Sequence, residues 1–184
     1  MKEVSILVAG FGGQGILFLG KLIAYGGMIQ GKEITFFPSY GAEIRGGTAN
    51  CTVIISDEMI GSPVAKSFDI LIVMNEASLK RFQSRIKPDG LLIFNSSLIR
   101  HPEMRTDIKA VGVPANELSA AQVRSSNMVM LGALLGAADI LNTESAFAAL
   151  KKMTPADRLK TIDENIDAIR KGIDYIEDKK SKNI

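Results

Sequence analysis

The chain has 184 residues, of which 46% are hydrophobic and 23% charged, and its formal net charge is +2. That is the size and composition of one ordinary globular domain able to bury its own core. A charge this small, with no basic block before the last few residues, does not indicate a nucleic-acid-binding surface. The single cysteine, Cys51, excludes an internal disulfide framework, a cysteine-built zinc site and an iron–sulfur cluster, and such usage fits a reducing cytoplasm.

Residues 4–9 form a continuous apolar run, as expected of a strand covered on both faces. Gly10-Phe11-Gly12-Gly13-Gln14-Gly15 follows at once. Ile16, Leu17, Leu19, Leu22 and Ile23 then mark an amphipathic helix that Gly31 should end. With a second strand at residues 34–37, this is a strand, glycine turn, helix, strand unit, which implies parallel strands and a right-handed crossover.

The next stretch, residues 38–50, reads Pro-Ser-Tyr-Gly-Ala-Glu-Ile-Arg-Gly-Gly-Thr-Ala-Asn. It has neither a helical nor a strand period, and its glycines bracket a Glu and an Arg, so it reads as a shaped recognition loop or, more blandly, as a solvated connector. Arg45 offers a planar, permanent charge suited to a phosphate or carboxylate, with Glu43 placed to orient it; the competing reading is a surface ion pair. Tyr40 could stack on a ligand or fill the core near Phe36 and Phe37.

Residues 50–55 read as a third strand, with Met59-Ile60 the return strand of an antiparallel hairpin. A strand at 70–74, a helix at 76–86, a Pro88-Asp89-Gly90 turn and strands at 91–95 and 108–113 follow. Helices are expected at 116–123, 126–141, 144–151 and 157–177, the last introduced by Thr154 as cap and Pro155. Leu159, Ile162, Ile166, Ile169, Ile173 and Ile176 give it a narrow apolar seam. Asn127 reads as a helix cap, with Ser125 and Ser126 as rivals, and Gly132 and Gly136 as points of close packing on the sheet. Cys51 reads as a buried apolar group and His101, the only histidine, as a loop bystander. No apolar stretch reaches the roughly 20 residues of a membrane span, and the start lacks a secretory cleavage pattern. The expectation is a cytoplasmic α/β protein: a three-layer, Rossmann-like, mostly parallel sheet with an antiparallel hairpin and a helical C-terminal third, one domain over 1–178 and a flexible tail over 179–184.

The glycine turn matches the dinucleotide fingerprint, where free N–H groups and a helix N-terminus face an anion. A nicotinamide site also needs a carboxylate ending the second strand, and Glu33 stands at the wrong end of it. Three readings stay open: a dinucleotide, glycines needed only for packing, and another phosphate-bearing ligand or a partner backbone.

Taken together, Gly10 to Gly15 and the Tyr-Gly-Ala-Glu-Ile-Arg-Gly-Gly-Thr-Ala-Asn stretch resemble the gamma subunit, or gamma domain, of the 2-oxoacid:ferredoxin (or acceptor) oxidoreductases. Ile60-Gly61-Ser62-Pro63 and the Asn127 to Gly132 segment extend the likeness over nearly the whole chain. Ala42 departs from it where many members carry proline, a change in loop stiffness. The resemblance implies a non-catalytic subunit of an enzyme that decarboxylates a 2-oxoacid oxidatively, with 2-oxoglutarate favoured, to give an acyl-coenzyme A. It implies thiamine diphosphate, magnesium and iron–sulfur clusters in the holoenzyme and coenzyme A as co-substrate, this chain holding none of them with certainty by itself but helping to seat coenzyme A or close the thiamine site. The implied partners are alpha and beta subunits, a delta subunit where one exists, and ferredoxin or another acceptor. On this reading the cofactor-binding set is Gly10, Gly12, Gly13, Gln14, Gly15, Ser39, Tyr40, Gly41, Glu43, Arg45, Gly46, Gly47 and Asn127. The alternative is a standalone dinucleotide-binding module or NAD(P)-dependent dehydrogenase.

Overall fold

The computed structural model describes residues 3–40, 48–119 and 125–182. Its centre is a six-stranded sheet in the order β2-β3-β1-β4-β5-β6. The strands are β1 (Val4–Phe11), β2 (Glu33–Tyr40), β3 (Thr48–Ser56), β4 (Phe68–Val73), β5 (Ile86–Asn95) and β6 (Lys109–Val113). β1, β4, β5 and β6 run parallel, while β3 is antiparallel to both of its neighbours. The α-helices are α1 (Ile16–Ile29), α2 (Glu76–Phe82), α3 (Ala115–Leu118), α4 (Ser126–Ala137), α5 (Thr143–Met153) and α6 (Ile162–Lys182).

Strand alternation sorts the two layers that cover the sheet. Ile6 and Val8 of β1 face one side, packed with Leu19, Leu22 and Ile23 of α1 and with α4, α5 and α6. Leu7 and Ala9 face the other, packed with Leu79 and Phe82 of α2. The three-layer α/β expectation therefore holds, and the helices after β1 and β4 leave on opposite faces. None of the helices among the described residues is long and apolar enough to cross a membrane.

Several local expectations are corrected. β2 runs in the direction of β1, as the crossover requires, but β3 is inserted between them, so the two are not hydrogen-bonded neighbours. The antiparallel element is thus β2–β3 rather than a hairpin through Met59-Ile60, which forms no strand. Pro38, Ser39 and Tyr40 belong to β2, because a proline is tolerated on the edge strand of a sheet. Pro88-Asp89-Gly90 lies inside β5, opposite a register shift in β4, with Asp89 at φ 60°. A turn tripeptide has been used there as a strand irregularity. The helix after Asn75 ends at Phe82 and a 3-10 turn, Gln83–Arg85, leads into β5.

Gly132 and Gly136 pack not on the sheet but on α6. A Cβ on Gly132 would overlap the Ile169 carbonyl, and one on Gly172 the Val129 carbonyl, so the two helices touch backbone to backbone. Thr154 donates to Leu150 O at 2.7 Å and closes α5 instead of capping the next helix, which starts as a 3-10 turn over Ala156–Thr161. The seam of α6 buries Ala168, Ile169, Gly172 and Ile176. Residues 179–182, expected in a tail, continue this helix.

Candidate functional site

The carboxyl ends of β1 and β4 lie side by side, and the chain leaves them for opposite faces of the sheet. This is the switch point at which open α/β sheets bind ligands. Gly12 to Gly15 turn the chain there from β1 into α1. Gly13 (φ 95°) and Gly15 (φ 72°) occupy the left-handed region that a side chain disfavours.

The glycines differ in what they are for. A Cβ on Gly10 would stand 2.5 Å from Ile16 Cδ1 and 2.7 Å from Gln14 Oε1, so a side chain there would displace both residues, and packing favours a glycine. A Cβ on Gly15 would overlap the Asn127 side chain, whose Nδ2 donates to Gly15 O at 3.3 Å. Gly12 is exposed, has no positive φ, and a Cβ there would meet nothing within 4 Å. Neither the fold's own packing nor its backbone geometry accounts for a glycine at that position.

Gln14 holds the turn in place. Its Oε1 accepts from Phe11 N at 2.7 Å and from Asn75 Nδ2 at 3.1 Å, and its Nε2 donates to Met74 O at 3.4 Å. Asn75 Oδ1 in turn accepts from Ser78 N at 2.8 Å as the cap of α2. One amide side chain therefore clasps the ends of β1 and β4. Both acceptor positions of Oε1 and one Nε2 hydrogen are used internally, so Gln14 positions the turn. Asn127, 6% exposed, does not cap α4 as the sequence suggested. It reaches 112 residues back to the glycine turn.

The electrostatics are favourable to an anion. No side chain caps the first turn of α1 and no acidic residue stands in it, so its free amides and the positive end of its dipole face outward over the turn. Thr48 is the register partner of Phe11, and Arg81 on α2 donates to Thr48 Oγ1 at 2.9 Å while lying over the Phe82 ring at 5.2 Å. Arg81 forms no ion pair among the described residues and brings a cation to this end of the sheet. Sequence reasoning missed it, since the contact joins residues 33 apart with no local pattern.

The second glycine-rich segment leaves the sheet at Tyr40 and re-enters at Thr48. Tyr40 pairs with Ala49, which itself pairs with Gly10. Both ends of that segment thus stand at the same end of the sheet as the glycine turn. Gly41, Glu43, Arg45, Gly46 and Gly47 lie outside the described residues. Ser39 and the backbone of Tyr40 sit one strand beyond β3, two strand spacings, or roughly 10 Å, from β1. A ribose-binding carboxylate at the end of β2 would therefore be displaced from the turn, which disfavours a nicotinamide dinucleotide.

Cys51 is fully buried on β3, its Sγ 3.7 Å from the Ile16 carbonyl. Burial pushes its thiol up to about 12, with a backbone contact to Gly20 pulling weakly the other way. A buried thiol held protonated in this way is not poised as a nucleophile.

A family model described as pyruvate ferredoxin/flavodoxin oxidoreductase matches residues 5–175. The ketoisovalerate oxidoreductase subunit VorA of Methanothermobacter thermautotrophicus is 34% identical over 94% of this chain, which spans only 36% of that relative's length. The 2-oxoglutarate synthase subunit KorC of the same organism is 33% identical, with 95% of each chain covered. Among solved structures, the 2-oxoglutarate:ferredoxin oxidoreductase from Magnetococcus marinus, with 2-oxoglutarate, coenzyme A and succinyl-CoA bound, superposes with a TM-score of 0.89 at 26% identity. The match covers 97% of this chain and 32% of that one.

Proposed function

The chain belongs to the pyruvate ferredoxin/flavodoxin oxidoreductase family, and we propose that it acts there as the gamma component of a 2-oxoacid:ferredoxin oxidoreductase. In this role it seats coenzyme A against its glycine turn while other subunits carry out the oxidative decarboxylation. The observation that carries the reading is Gly12, an exposed glycine that the fold itself does not need. Glycine is the residue that lets a ligand approach the backbone closely, and a phosphate-bearing ligand suits the uncapped start of α1.

The residues fit such a group. The amides of the turn and of the first turn of α1 would hold its phosphates, Arg81 would supply charge, and Gln14 and Asn127 keep the turn from shifting. When bound, coenzyme A supplies the thiol that accepts the acyl group. Ser39, Tyr40, Gly41, Glu43, Arg45, Gly46 and Gly47 complete the proposed surface, with Arg45 as a second cation. Thiamine diphosphate, magnesium and the iron–sulfur clusters belong to the alpha, beta and, where one exists, delta subunits. The single buried thiol of this chain does not fit an iron site. The proposed 2-oxoacid is 2-oxoglutarate, by likeness to the KorC subunit, and the proposed acceptor is ferredoxin.

The test is a Gly12→Val substitution in the enzyme purified from its native cell through a tagged copy of this chain. Because the added side chain meets open space, folding and assembly should be retained, while KM for coenzyme A should rise about tenfold or more. An unchanged KM for coenzyme A in an assembled enzyme would refute the assignment. Titrating the wild-type chain with NAD, NADP and coenzyme A separates this reading from a dehydrogenase, which requires tight nicotinamide dinucleotide binding and hydride transfer.

A further inference from the structure

The two edges of the sheet are finished differently. β6 is five residues long, and the Gly112 carbonyl on it accepts from the Tyr175 hydroxyl at 3.1 Å and the Lys179 ammonium at 3.4 Å, both from α6. That edge is short and capped, as edges that avoid pairing usually are. β2 is eight residues long and carries no charge from residue 34 to residue 40. It ends the sheet, and among the described residues no backbone hydrogen bond reaches its outer side. Pro38 blunts only its far end, where a donor is missing, and leaves residues 33–37 free to pair.

Beside this edge, between β2, α1 and the end of α5, lies a groove of about 740 Å³. Ile34, Phe36 and Met153 line it, and Tyr25 and Met28 of α1 stand at its lip, Met28 being 58% exposed. The rim carries Lys21 and Lys152, neither ion-paired among the described residues, Lys32 paired with Asp57, and Glu33.

Resting on the gamma-component reading, we propose that this edge and groove receive an extended segment of the oxidoreductase's larger subunit. The segment adds a strand to β2 over residues 33–37, sets apolar side chains in the groove and turns carboxylates toward Lys21 and Lys152. The occupant follows from two facts. The same fold accounts for nearly all of the KorC relative and about a third of the VorA relative, so in the longer chain the remainder is tethered to it. The two rim lysines unpaired among the described residues favour a partner segment that carries carboxylates, and a second copy of this chain pairing β2 with β2 is the competing occupant that the experiment separates.

The experiment uses the enzyme purified from its native cell through a tagged copy of this chain, assayed for 2-oxoacid oxidation with a dye acceptor. Hydrogen exchange at residues 34–37 should be slower in the complex than in the free chain. Tyr25→Lys combined with Met28→Lys should lower the co-purifying activity about tenfold, while Leu98→Lys, at an exposed site elsewhere, should leave it within about twofold. A wild-type chain that brings down no such activity would refute the gamma-component reading itself. Full assembly of the double variant, or no protection along β2, would overturn the docking site alone. A concentration-dependent dimer of the free chain abolished by Met28→Lys would assign the groove to a second copy and equally overturn it.

Discussion

The two ends of the central strands are built on opposite principles. At the amino end of β1 and β4 the polar side chains of three strands bind one another. Ser5 N and Ser5 Oγ donate to Asp69 Oδ2 at 2.8 and 2.7 Å, Asp69 N donates to Ser5 Oγ at 3.2 Å, and Lys87 Nζ donates to both Asp69 oxygens at 2.8 Å. This closed circuit, with Ser5 only 3% exposed, pins the register of three strands. At the carboxyl end Gln14 and Asn127 close the internal bonds, yet the turn above them leaves Gly12 open, the start of α1 uncapped and Arg81 without a counter-ion among the described residues. Satisfied groups hold a fold together, whereas donors aimed at open space are available to something else. That difference is why the proposed ligand site is put at the carboxyl end of the sheet.

The largest expected effect comes from Gly15→Val, which breaks the carboxyl end structurally. A β-branched residue at φ 72° that also overlaps the Asn127 side chain should cost about 3 kcal/mol, read as a lowered urea midpoint with unchanged slope. A loss below about 1 kcal/mol would mean that the turn relaxes freely and that Asn127 does not hold it.

Asp69→Asn breaks the amino end and should cost about 1–2 kcal/mol without altering any coenzyme A parameter. Its pH signature is specific. Burial alone would raise the Asp69 carboxyl, but Lys87 and the Ser5 N–H and hydroxyl outweigh it and hold the group below its ordinary value. A depressed carboxylate contributes stability above the unfolded pKa and loses it as pH falls through the folded one. Wild-type stability should therefore decline below about pH 4, and the variant should show a flatter decline. Equal slopes in the two proteins would remove Asp69 from the account.

Arg81→Ala should leave stability nearly unchanged, because the side chain is exposed, but should raise KM for coenzyme A about fivefold to tenfold in the assembled enzyme. A fall in kcat alone would point to positioning of another subunit rather than to ligand charge. The smallest effect is expected from Lys80→Ala, which removes a solvent-exposed i,i+4 pair with Glu76 one residue from Arg81. It should change both stability and KM within error.

What was legible in the sequence was local. The apolar run of β1, the glycine turn and the period of α1 are short-range patterns, and so is the α6 seam. The insertion of β3 between β1 and β2 was not legible, since strand order is decided by which faces bury together and leaves no mark on spacing. Pro88-Asp89-Gly90 misled because a tripeptide that favours a turn also tolerates a positive φ inside an irregular strand. Asn127 looked like a cap because it begins a helix; its actual partner, the Gly15 carbonyl, is 112 residues away. The same distance in sequence concealed the Arg81–Thr48 contact and the backbone crossing at Gly132 and Gly172. The resemblance to a known family led to the proposed function, and the fold explains why the motif glycines are not equivalent.

The most direct measurement is amide hydrogen exchange in the assembled native enzyme with and without coenzyme A. The account predicts slowed exchange at residues 12–19 and at Thr48, with Ser5 and Asp69 unchanged. Protection absent from the glycine turn, or confined to the amino end of the sheet, would contradict it.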